Sequence, residues 1–277
     1  MTELSFIDEI ERAVAADEVA LPVFNPTALK IQQELVKTDP DNQLIERLVT
    51  GDQALASQIL RMANSSFYKG LNEILTVKAA IVRLGMQEIG RIVLLAASKN
   101  QYRSADPEIN QMLRNLWQHS AAAARASYWI ARRCNYIDLQ GQAFFAGLLH
   151  DVGKLFVMTV IEHLRVTRKI NLTRQLILEA IDSLHSREGF ALMEKWNMPA
   201  QYCTVCRDHH LATFNHKDQL LVIVRLADTA CHKLGIGLTT DPDINLAATV
   251  EADILDLSEV ALAELEIMLE DTYGLLD

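Results

Sequence analysis

Eight histidines occur in this 277-residue chain, and five of them stand with two acids in an order suited to holding metal. The order is His119, then His150-Asp151, then His185, then His209-His210, then Asp228. Imidazole nitrogens and carboxylate oxygens are donors that zinc, manganese and iron take in proteins, with thiolate optional. The adjacent His150-Asp151 pair is the most informative member, because it follows the apolar run Ala143–Leu149. A helix of that content is normally buried, and burying an imidazole beside a carboxylate is costly unless each is paired or bound to a cation. Gly153 is expected to relax the backbone just after the pair, and Lys154 can set a positive charge beside it.

A single histidine is usually a surface residue or a hydrogen-bonded core residue, so His163, His216 and His232 are read as background. His209-His210 alone could do no more than oppose a helix dipole. The ordered set of seven carries the signal, because chance rarely supplies every member. Cys203 and Cys206 place two sulfurs at i and i+3 on one helix face, which raises a Cys-Cys-His zinc knot as an alternative. No second such pair exists, and a small buried hydrophobe is the better reading of each.

The elements that must position these residues are helical. Only 11 glycines and 6 prolines punctuate the chain, and no strand-like alternation stands out. Asn25-Pro26 reads as the N-cap and first residue of a helix through Lys37, and Asp39-Pro40-Asp41-Asn42 as a turn. A helix from about Gln43 stops at Gly51, and Asp52 caps the next, which runs through Leu55, Ile59 and Met62 to Asn64. Thr76 opens a helix that Gly85 closes, and apolar spacing resumes at Met86, Ile89, Val93 and Ala97. The polar stretch Ser104–Asn110 marks a boundary between lobes. Beyond it the spacing predicts helices around Met112–Cys134 and Gln140–Leu149, one continuing past Gly153, one ending near Trp196, one running towards His209, and one over Gln219–Leu234. Leu257, Leu262, Leu265 and Leu269 predict a final amphipathic helix with an acidic outer face.

A chain that is half hydrophobic and 22% charged is globular, which excludes disorder of the whole. The longest uninterrupted apolar runs, Ile92–Ala97 and Ala143–Leu149, fall short of the roughly 18–20 residues of a membrane span, so no membrane partner is expected. The opening MTELSFIDEI lacks the layout of a signal peptide. Four cysteines make no disulfide framework, so a reducing, cytoplasmic compartment is expected. The net charge of -10 is uneven: residues 241–277 hold 11 acids and no Lys or Arg, leaving the remainder nearly neutral. Such a chain lacks the basic face of a nucleic-acid binder, so no nucleic-acid partner is expected.

The string LLHDVGKL, with His119 upstream and RLAD (Arg225–Asp228) downstream, resembles the HD metal-dependent phosphohydrolase pattern. The stretch LHSREGFALMEKWNMPAQYCTVCRDHH resembles the longer pattern shared by HD-GYP phosphodiesterases and HDOD, the HD-related output domain. The first half separates the two: LPVFNPTALKIQQEL, DQALASQILRMANSSFY and TVKAAIVRLGMQEIGRIVLLAA are similar to the HDOD amino-terminal lobe.

An all-α chain is expected, with an N-terminal helix (1–19), an HDOD domain (20–235) that the resemblance covers, and an acidic helical tail (236–277). Within the domain it implies an amino lobe (20–103) packed on an HD-like lobe (104–235). Carried over position by position, it gives His119, His150, Asp151 and Asp228 to a first divalent metal. His185, His209 and His210 go to a second, with Asp151 bridging, and Lys154 matches a lysine that contacts phosphate in relatives. Two ions of Fe, Mn or Zn are thus expected. They would leave the site about +1 even with a bridging hydroxide, which suits a phosphate.

Two departures stand against full enzyme likeness. LATFNHKDQ follows His210 with neither GYP nor glycine, and Asn115 stands where some three-metal relatives carry glutamate. The function implied is a stand-alone signal-transduction output protein acting through a protein partner. The alternative is a metal-dependent phosphohydrolase of a nucleotide or cyclic dinucleotide, with Asp151 and Lys154 at the reaction. The acidic final helix is either a docking surface or a solvated helix packed at the lobe interface.

Overall fold

A computed structural model describes residues 6–16, 40–64, 73–170 and 172–273, with isolated positions 19, 27, 30, 31 and 34. The architecture is all-helical, with no strand among the described residues. The chain divides into two compact units, Val23–Gln101 on one side and Met1–Pro22 with Tyr102–Asp277 on the other. The expected helix start at Asn25-Pro26, the turn residue Asp39 and all but the first residue of NSSFY lie outside the described residues.

Helix α1 (Phe6–Ala15) opens the chain. The unit Val23–Gln101 then contains α2 (Asn42–Thr50), α3 (Gln53–Ala63), α4 (Val77–Leu84) and α5 (Met86–Lys99) among the described residues. Their starts follow from caps. Asp41 accepts from the Gln43 and Leu44 N–H groups, Asp52 from Leu55 at 3.1 Å and Thr76 from Ala79 at 3.1 Å, which satisfies donors that lack a partner in a first helical turn. Gly85 separates α4 from α5 at φ 81°, backbone that a side chain would strain. Asn64 donates to the Ile74 carbonyl and accepts from the Ile74 N–H, both at 2.7 Å, tying the end of α3 to the approach to α4.

The larger unit continues with α6 (Pro107–Arg133), α7 (Gln140–Leu149), α8 (Val152–Arg168), α9 (Arg174–Lys195), α10 (Ala200–Asp208), α11 (Gln219–Lys233), α12 (Val250–Ile254) and α13 (Glu259–Tyr273). The spine is α6, against which α7, α11 and α13 pack. Its fully buried Ala121–Ala124 and Ala126 offer little bulk, so neighbouring helices come close. Helix α8 lies on α9, and α1 packs on α8.

The polar Ser104–Asn110 stretch contains the first turn of α6, which begins earlier than the apolar spacing predicts. The reason is local: Asp106 caps the helix by accepting from the Glu108 and Ile109 N–H groups, and Pro107 fills the first helical position. Arg165 Nη1 donates to Asp106 Oδ2 at 2.8 Å. Burial pushes the Asp106 carboxyl up, but the Ile109 N–H and the Arg165 guanidinium outweigh it and hold the group below the usual carboxylate range. A depressed folded-state pKa stabilises at neutral pH and loses that contribution as pH falls through it. Asp106→Ala is therefore expected to cost about 1 kcal/mol at pH 7. The gap to wild type should narrow near pH 3 in thermal melts; an equal gap at both pH values would exclude the ionised cap.

The C-terminal helix buries Leu262, Leu265 and Leu269 in the same core as α6 and α11. Two of its acids face bases of the unit: Lys233 meets Glu266 at 2.6 Å and Arg133 meets Glu264 at 3.8 Å. One stretch, Ile137–Arg168, is long and apolar enough by composition to cross a membrane, which the uninterrupted apolar runs did not anticipate. It reaches that apolarity by joining α7 to α8 across a break, and 89% of its most apolar window is buried inside the protein.

Candidate metal centre

The break between α7 and α8 aims the central pair. His150 ends α7 and Asp151, at φ -103°, begins α8, so both side chains turn into the unit's interior. All seven predicted ligands meet there. His119 comes from the middle of α6, His185 from α9, His209 and His210 from the end of α10, and Asp228 from α11. Six of the seven are at most 4% exposed; the His210 side chain is 36% exposed.

They form two groups of four that share Asp151: His119, His150, Asp151 and Asp228, and Asp151, His185, His209 and His210. In the first, His119 Nε2 lies 3.1 Å from Asp151 Oδ2, 3.2 Å from Asp228 Oδ1 and 3.2 Å from His150 Nε2. His150 Nε2 lies 3.4 Å and 3.5 Å from the same two oxygens. In the second, Asp151 turns its other oxygen, Oδ1, to His209 Nε2 at 3.3 Å and to His185 Nε2 at 3.7 Å. Asp151 thus presents one oxygen to each group. The geometry fits a metal, because tetrahedral donors bound at about 2.1 Å stand about 3.4 Å apart.

Backbone carbonyls fix which nitrogen faces inward. His119 Nδ1 meets Ile236 O at 2.9 Å, His150 Nδ1 meets Gly147 O at 2.8 Å, His185 Nδ1 meets Ile181 O at 2.9 Å, and His209 Nδ1 meets Cys206 O at 2.9 Å. A carbonyl only accepts, so each Nδ1 carries a proton and each ring turns its Nε2 inward as the atom available to a metal. Nε2 atoms 3.2 Å apart leave room for one proton between them at most. Both Asp151 oxygens, Asp228 Oδ1 and His209 Nε2 are buried without a hydrogen-bond partner, although Lys154 Nζ approaches Asp151 Oδ2 at 2.6 Å as an ion pair. Buried lone pairs facing one another are costly, and a divalent cation between them removes the cost. The donor set therefore points to a divalent metal. The Ser186 hydroxyl, 3.2 Å from His185 Nε2, competes for one of these lone pairs.

The electrostatics agree. Burial pushes His185 down to about 4 and His210 down to about 2, which keeps both neutral and able to donate to a metal. Burial also works against a charged His119, but the Asp151 and Asp228 carboxylates override it and raise that ring to about 9, the pull a cation at the same point would feel. The same carboxylates outweigh burial and raise Lys154, which stays a cation at the rim.

A cavity of about 330 Å³ reaches this centre, lined by His119, Lys154 and His210 on one side and Gln175, Glu179 and Asp182 of α9 on another. A larger depression of about 810 Å³ on the other unit is lined by Arg47, Asp52 and neighbours and brings no comparable donors together among the described residues. His232, set aside in the sequence, lines the cavity. Its Nε2 is 3.6 Å from Asp228 Oδ1, and its ring stacks on His119 at 5.6 Å. The signal was present: His232 follows Asp228 by four residues, one face of one helix.

Gly153 serves close approach and not backbone relaxation. It lies inside α8, where a Cβ would stand 1.9 Å from His185 O and 2.7 Å from Gly189 N. Its bare backbone lets α9 bring His185 to Asp151. Asn115 accepts from Gln111 within α6 at 2.9 Å. Cys203 and Cys206 are buried, and neither belongs to a metal-ready group among the described residues. Burial raises the Cys206 thiol, whose sulfur fills the space beside Gly189.

An all-helical unit that gathers imidazoles around a His-Asp pair at a helix break defines an HD-type centre. The HDOD domain pattern matches residues 21–212, more than half of the sequence, and the chain belongs to the HDOD family. It is 24% identical over 196 residues to an uncharacterised protein of Treponema pallidum (strain Nichols), covering 69% of this chain but 37% of that protein, so it spans little more than a third of that relative. It is similar in fold to an HDOD domain protein of unknown function from Geobacter sulfurreducens, at TM-score 0.76 and 21% identity over 98% of this chain and 97% of the other. A protein of Shewanella amazonensis SB2B, named as a candidate metal-dependent phosphohydrolase, matches at TM-score 0.73 and 17% identity over 96% and 97%. A protein of Marinobacter aquaeolei VT8, named as a candidate signal transduction protein, matches at TM-score 0.66 and 19% identity over 100% of this chain and 66% of the other.

Proposed function

We propose that this chain is an HDOD signal-transduction output protein whose HD centre binds two divalent ions of Fe, Mn or Zn, and which acts through a protein partner. The observation that carries the metal reading is the set of buried Asp151 and Asp228 oxygens and the His209 Nε2 nitrogen that have no hydrogen-bond partner and face other donor atoms. His119, His150, Asp151 and Asp228 would hold the first ion; Asp151, His185, His209 and His210 would hold the second. Elemental analysis of protein loaded with Mn(II) and dialysed is expected to find two ions per chain, and none would overturn the reading.

A second reading, phosphoester hydrolysis, is favoured by the cavity at the centre. Bound cations would polarise a phosphoryl oxygen and lower the pKa of a water. Lys154 supplies a fixed positive charge for a phosphate, and His232 offers a ring beside His119 and His210 to orient it. At about 330 Å³ the cavity is at the small end for ligand sites, which favours a nucleotide-sized phosphoester over a cyclic dinucleotide. Turnover of such esters by Mn(II)-loaded protein should fall roughly 10²-fold in kcat for Lys154→Met with both ions retained. Absence of turnover in loaded wild type would leave the output reading alone.

A further inference from the structure

His209 and His210 sit where α10 ends, and a helix's last carbonyls have no partner within the helix. Arg225 supplies one from α11. Its Nη1 donates to His209 O at 2.6 Å and to Leu211 O at 2.9 Å, gripping the backbone on both sides of His210. The guanidinium is itself held twice: its Nε donates to Glu251 Oε1 at 2.6 Å, and it lies 3.8 Å over the Phe214 ring. Arg225 and Glu251 are both largely buried, with side chains 15% and 9% exposed. Arg225 stands one turn before Asp228, so one helix face presents both an acid of the first group and the grip on the second.

The His210 ring depends on that grip. Its Nδ1 is 3.9 Å from Asp228 Oδ2, too long for a hydrogen bond, so the backbone of the turn carries its placement. The other four histidines each rest an Nδ1 on a backbone carbonyl as well, His119 on Ile236 O, His150 on Gly147 O, His185 on Ile181 O and His209 on Cys206 O, so the grip bears most on His210.

We infer that Arg225, locked by Glu251, is the positioning residue for the His209–His210 ligand pair, which makes α12 part of the second cation site. This rests on the two-cation reading above. Glu251 lies beyond residues 21–212, so a segment outside the family-matched region governs occupancy of a site inside it. Arg225 acts through the backbone.

The test is Mn(II) titration by calorimetry, with elemental counting, of the full chain as wild type, Glu251→Gln and Arg225→Lys. His185→Ala serves as the reference for loss of the second ion, and circular dichroism melts check folding. Two ions are expected on wild type. In Glu251→Gln the second should bind about 10–100-fold more weakly with the first unchanged. Arg225→Lys keeps the charge but not the planar fork and should lose in the same direction; it carries the comparison if Glu251→Gln fails to fold. Folded variants that bind both ions as wild type does, or that weaken both equally, would overturn the inference alone. A wild type that takes up fewer than two ions overturns the two-cation reading and the inference with it.

Discussion

Asp151→Asn is expected to abolish cation uptake at both groups at once. Asp151 turns Oδ2 to His119 and His150 and Oδ1 to His185 and His209, and it is fully buried. An amide keeps the volume but loses the charge. At a metal concentration about a hundredfold above Kd, each bound ion stabilises the fold by about 2.7 kcal/mol. Wild type should gain that for each ion in chemical denaturation with and without Mn(II), and Asp151→Asn should gain nothing. Metal-free stability should fall, since Lys154 at 2.6 Å and His119 at 3.1 Å lose the carboxylate they face. His185→Ala, by contrast, should cost one ion. A variant at 151 that retained one ion would show that the two groups do not share this acid.

Gly153→Ala is expected to destabilise the protein by about 3 kcal/mol or more, at the top of the range for overpacking. The added methyl would meet the His185 carbonyl at 1.9 Å, and that backbone belongs to the helix carrying a ligand. Either α8 and α9 separate and His185 leaves Asp151, or the chain fails to fold. Gly141→Ala is the matched control, because a Cβ there meets nothing within 4 Å in an equally helical position. Urea denaturation of the two variants should place them far apart; near-equal midpoints would mean that α9 moves aside freely.

Both predictions turn on the distinction between what composition reveals and what only packing reveals. The caps Asp52 and Thr76, the stop at Gly85 and the succession of helices were legible because each depends on one residue's local chemistry. The gathering of the seven imidazoles and acids was legible because such residues have few other reasons to recur beside apolar runs. The role of Gly153 was not, because its cause is the carbonyl of a residue 32 positions away. His232 was passed over for the same reason: its meaning comes from the stack on His119, and its only local trace is the four-residue spacing from Asp228. The early start of α6 was misread because Asp106-Pro107 looks equally like a linker and a helix opening until Arg165 is seen to hold the acid. The apolarity of Ile137–Arg168 escaped a search for unbroken runs, since the polar pair at its break divides it.

Because four backbone carbonyls orient their imidazoles before any ion arrives, the ordering entropy of those side chains is spent during folding and not at capture. A cage framed by buried helices also has little freedom to expand. Calcium wants six to eight oxygens, and magnesium gives up its water reluctantly. Five ring nitrogens and the oxygens of two acids match neither preference; they are the donor types that transition metals take.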